Sequence, residues 1–61
     1  MLKPPEVGDT VTWIYDTKLV GIFLGRLRNI DGGLGRMIET CEVLFPDEVR
    51  RVAVRQIRVV K

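Results

Sequence analysis

Apolar residues alternate with polar ones at a period of two wherever they cluster in this chain, and β-branched side chains are frequent in those clusters. The pattern predicts strands throughout. The segment "TVTWIYD", residues 10–16, sets Val11, Trp13 and Tyr15 on one face and Thr10, Thr12 and Ile14 on the other. Asp16, Thr17 and Lys18 are read as a short connection to a second strand, "LVGIFLGRLR", in which Gly21 and Gly25 flank an apolar centre and predict a bulge or sharp bend. The run "NIDGGLGR" concentrates Asn29, Asp31 and three glycines, a hairpin-loop signal. A third strand is expected from Met37 to Phe45, a tight turn at Pro46-Asp47, a fourth strand from Glu48 to Val54, and a short fifth from Ile57 to Val60 after a break near Arg55-Gln56.

Five short strands with one glycine-rich hairpin and one tight hairpin predict an all-β fold, a small and strongly bent barrel. The whole chain, 1–61, reads as one domain with an extended lead-in over residues 1–8, where Pro4 and Pro5 forbid a helix. The order of features resembles the SH3-like barrels. Gly8-Asp9 matches their entry, and "VAVRQIRVV" resembles their ending, in which a short helical turn separates strands four and five. The alanine-leucine-tyrosine-aspartate-tyrosine run and paired tryptophans of the polyproline-binding SH3 domains are absent, so the likeness is one of architecture. A nearer resemblance is to small SH3-like proteins of tailed bacteriophages, carried by Gly8, Asp9, Val11 and Trp13 at the start and Val52, Val54, Ile57, Val59 and Val60 at the end. That resemblance implies a phage or phage-like origin and a role as a virion accessory part.

Charge divides the chain unevenly. Residues 1–48 hold five cations and eight acids, whereas residues 49–61 hold five cations and no acid, against a net charge of +2 for the whole. Cys41 is the single cysteine, which excludes an internal disulfide and fits a reducing compartment. The longest apolar run, Leu19 to Gly25, is far short of the roughly 20 residues a spanning helix requires, and the N-terminus carries no signal-peptide pattern. The expected location is the cytoplasm of a host cell or a virion, without membrane insertion.

The residue types restrict the chemistry. With no histidine and no serine, Ser-His and Cys-His nucleophile pairs are not available within the chain, and one cysteine does not make a structural zinc site. Glu39 and Glu42 fall on opposite faces of one strand, so they do not converge as a general acid and base. The "DGGLG" loop lacks the lysine and helix of a phosphate-binding loop. The plasmid-borne type II dihydrofolate reductases are barrels of similar size, but Val49-Arg50-Arg51-Val52 stands where their valine-glutamine-isoleucine-tyrosine run lines the active pore. The expectation is a protein that is not an enzyme and uses no cofactor, metal or small-molecule substrate.

A chain of 61 residues buries only about 60% of its unfolded surface, so contact with a protein partner or a second copy adds appreciably to its stability. The candidate interaction surface comprises Trp13 and Tyr15 together with Arg26, Arg28, Arg51, Arg55 and Arg58, which alternation places outward. Protein binding is the leading expectation, with the arginines solubilising the barrel or pairing with acids. The alternative is a small nucleic-acid-binding or host-takeover regulator that uses the same arginines on phosphates.

Overall fold

The computed structural model describes residues 4–60, so residues 1–3 of the lead-in and Lys61 lie outside the account that follows. Five antiparallel strands form one sheet: β1 (Thr10–Trp13), β2 (Asp16–Asp31), β3 (Met37–Leu44), β4 (Val49–Ala53) and β5 (Ile57–Val59). Their order across the sheet is β4-β3-β2-β1-β5, and a 3-10 turn at Val54–Gln56 carries the chain from one end of the sheet to the other. The result is a small all-β barrel of SH3-like order.

The first reversal lies earlier than the sequence pattern places it. Trp13 pairs with Asp16, so the chain turns at Ile14-Tyr15, and Asp16-Thr17-Lys18 already belong to β2. Those residues still look like a turn locally, because the Lys18 N–H donates to Asp16 Oδ1 at 3.1 Å. They form a bulge. The register jumps from Thr12–Val20 to Trp13–Asp16, and the Thr12 hydroxyl fills the gap beside the carbonyls of Thr17 and Leu19, at 2.9 and 3.1 Å.

β2 is a single long strand that bends twice against β3, with register shifts between Phe23 and Gly25 and between Gly25 and Arg28. Gly25 and Arg26 take left-handed φ values of +78° and +51° at this bend. Gly21 serves a different purpose. A Cβ there would lie 2.7 Å from the Leu44 carbonyl oxygen and 2.7 Å from Val43 Cγ1, so its hydrogen lets β2 cross closely over β3. The two halves of β2 thereby serve both sides of the barrel, one paired with β1 and the other with the far end of β3.

Val11, Phe23, Cys41, Val43, Phe45 and Ile57 form the buried core, with Trp13, Leu19, Val52, Val54 and Val59 packed around it. Val54, expected in the fourth strand, opens the 3-10 turn instead. Gln56 explains why: its Oε1 accepts the Ala53 N–H at 3.3 Å, and the Ile57 N–H closes back on the Val54 carbonyl. The β2–β3 hairpin ends in a loop tied by Gly32 N–H to Arg36 O at 2.8 Å and by Gly33 N–H to Asp31 Oδ1 at 2.8 Å.

Candidate interaction surface

Of the cations singled out by the sequence, Arg26 and Arg51 meet on Glu42 and the backbone of Arg28 adjoins them through Thr40, while Arg55 and Arg58 lie on the 3-10 turn and β5. Arg26 and Arg51 are brought together by Glu42, whose carboxylate accepts Arg26 Nη1 at 3.2 Å on one oxygen and Arg51 Nη2 at 3.1 Å on the other. Arg51 is fixed further, donating through Nη1 to the Arg26 carbonyl and to Thr40 Oγ1, each at 3.0 Å. Thr40 in turn donates to the Arg28 carbonyl at 3.0 Å, so its buried hydroxyl is satisfied in both directions. This network joins β2, β3 and β4. Glu42 offsets one of its two positive charges. Arg50, absent from the sequence-derived set, pairs with Asp47 and Glu48 across the β3–β4 turn.

Arg28, Arg55 and Arg58 carry no ion pair among the described residues and lie on β2, the 3-10 turn and β5 respectively. Trp13 and Tyr15 meet edge to face at the β1–β2 turn, with ring centroids 5.0 Å apart. Trp13 is half-buried and packs on the core, while Tyr15 is exposed. The indole N–H of Trp13 is buried without a hydrogen-bond partner among the described residues.

Sequence reasoning passed over a different surface. Strand register places Thr10 opposite Ile22, Ile22 opposite Leu44, and Leu44 opposite Val49. The Val60 N–H donates to the Thr10 carbonyl at 2.8 Å, which extends the row past the end of β5. Val20, opposite Thr12, adds a second apolar side chain beside Ile22 on the same face. These five aliphatic residues are 38–47% exposed, on the side of the sheet opposite Val11, Phe23 and Val43. They form a band over β2, β3 and β4 that resumes at Val60, with Thr10 standing at the β1 position between. Its borders are polar: the Arg26–Glu42–Arg51 network on one side and Arg58, opposite Thr12, on the other. A signal was present in "LVGIFLG", where outward positions Val20 and Ile22 are as apolar as inward Leu19 and Phe23.

A shallow open cavity of about 290 Å³ lies between the loop end of the β2–β3 hairpin and the 3-10 turn, lined by Met37, Ile38, Glu39, Val54 and Arg55. Among the described residues, no helix is long and apolar enough to cross a membrane.

Comparison with family models, curated proteins and solved structures gave no match to this chain.

Proposed function

We propose that this barrel works by binding protein, docking through the aliphatic band of Val20, Ile22, Leu44, Val49 and Val60 onto a larger assembly. The observation that carries the reading is the in-register row of exposed aliphatic side chains with charged borders, the composition of a protein interface with an apolar centre and a polar rim. On the resemblance of its opening and closing segments to phage-encoded barrels, the assembly is a virion and the protein an accessory component without enzymatic activity.

The nucleic-acid reading has less support in the geometry. Two of its five arginines, Arg26 and Arg51, are held on Glu42, which offsets one of their two charges, and the other three have no ion pair among the described residues. Unspecific binding to phosphates rests on several free cations acting together, and affinity then falls steeply with salt. Titration with single-stranded and duplex oligonucleotides at two salt concentrations is expected to give no salt-dependent binding in the micromolar range. Such binding, weakened by substitution of Arg28, Arg55 and Arg58, would replace the protein-binding reading.

Fractionation of lysates from producing cells tests the leading reading directly. Wild-type protein is expected to sediment with particles of virion size, and the Ile22→Thr, Leu44→Thr variant to remain in the soluble fraction. A wild-type protein recovered only as free chain, absent from purified particles, overturns the proposal.

A further inference from the structure

The tip of the β2–β3 hairpin carries an aliphatic side chain for which the fold has no use. Leu34 is 100% exposed and stands at a left-handed φ of +55°, between Gly33 and Gly35. That backbone region is disfavoured for a branched side chain and suits glycine or asparagine. Leucine at this position therefore costs stability twice, in conformation and in exposed apolar surface, and gains no contact within the chain in return. Backbone strain held at an exposed tip points to a role outside the isolated fold.

The cavity beside the loop end of the same hairpin supplies a counterpart. Met37, Ile38 and Val54 give it apolar walls, and its volume of about 290 Å³ accommodates a leucine side chain. The charges agree as well. Asp31 and Arg36 flank the tip, while Glu39 and Arg55 line the cavity, and none of these four has an ion pair among the described residues. The tip thus carries one acid and one base, and the cavity carries one of each as well.

We propose that the protein forms a twofold dimer in which Leu34 of each copy inserts into the other's cavity between Met37, Ile38 and Val54, with Arg36 meeting Glu39 and Asp31 meeting Arg55. The arrangement is self-complementary, so one contact made twice closes the assembly and leaves no unmatched tip or cavity. It uses the hairpin and the 3-10 turn, a different surface from the aliphatic band, and does not rest on the docking role assigned to that band.

Sedimentation equilibrium of the purified chain over a concentration series tests the proposal. Wild type is expected to dimerise reversibly with a dissociation constant below about 1 mM. Leu34→Asn should weaken association by about 30-fold or more, the loss expected of an interface anchor. The same variant should keep or raise the melting temperature, because asparagine tolerates the left-handed backbone. Arg36→Glu and Glu39→Arg should each weaken the dimer, and the double variant should restore it. A wild type that stays monomeric throughout, a Leu34→Asn variant that associates as tightly, or a double charge reversal no tighter than either single change overturns the dimer. The Ile22→Thr, Leu44→Thr variant should dimerise as wild type does, which separates this surface from the docking band.

Discussion

Gly21 and Cys41 show how single positions set the tolerances of this barrel. An alanine Cβ at position 21 would meet the Leu44 carbonyl oxygen at 2.7 Å, Val43 Cγ1 at 2.7 Å and Phe45 Cδ1 at 2.9 Å, all in the tightly packed centre of the sheet. Backbone and core atoms must then shift together. Gly21→Ala is expected to lower stability by about 2–3 kcal/mol in urea unfolding, the range of an overpacked core. Cys41 is fully buried, with its Sγ 3.6 Å from the Val52 carbonyl oxygen. Burial pushes its thiol above the ordinary value; the Arg51 charge opposes that shift and Glu39 adds to it. The folded chain therefore holds this proton at pH values where the unfolded chain has released it. Stability is unaffected by this group below the unfolded thiol value of about 8.5 and falls as pH rises above it. Alkylation at pH 8 should accordingly be slow in buffer and fast in denaturant. Fast alkylation of the folded protein would contradict the burial. Nothing in the sequence distinguished the close approach at Gly21 from the left-handed bend at Gly25.

At the scale of elements, the Arg26–Glu42–Arg51 network does what a strongly bent strand requires. The bend in β2 leaves Arg26 at a positive φ and weakens the regular ladder to β3, and a side-chain tie restores the connection. The Glu42 carboxylate links β2 to β4 across β3, while Arg51 also caps the Arg26 carbonyl. Glu42→Gln removes the charge and keeps the shape. It is expected to cost about 1 kcal/mol, less at high salt because Arg26 is largely exposed. Equal losses at low and high salt would assign the network's contribution to its hydrogen bonds rather than to charge. The strands, the glycine-rich hairpin and a break before β5 were legible from alternation and turn residues, and the helical turn at that break was implied by the resemblance to SH3-like barrels. The first turn was not, because Asp16 makes a turn-like hydrogen bond inside a bulge, and the true reversal at Ile14-Tyr15 lacks glycine, asparagine and proline. The ion network was equally hidden, since it joins residues 26, 42 and 51 through a register that two bulges displace.

For the molecule as a whole, the question is how a sheet with two partly apolar faces chooses its inside. Curvature decides it: the double bend of β2 wraps one face around Val11, Phe23, Val43 and Phe45 and leaves Ile22, Leu44 and Val49 on the outside. Alternation alone assigns a face to each residue but does not say that the outer face is also aliphatic enough to bind. That is why the sequence pointed to arginines, whose outward direction was readable, while their partners in the chain were not. The division between faces has a measurable consequence. Ile22→Thr and Leu44→Thr retain residues compatible with strands and remove only part-exposed surface, so each should cost about 1 kcal/mol or less. Phe45→Ala, which empties the interior, should cost about 3–5 kcal/mol. Urea unfolding of the three single variants checks both values. Losses at Ile22 and Leu44 approaching that at Phe45 would mean that the band is packed within the isolated chain, and that no partner is needed to cover it.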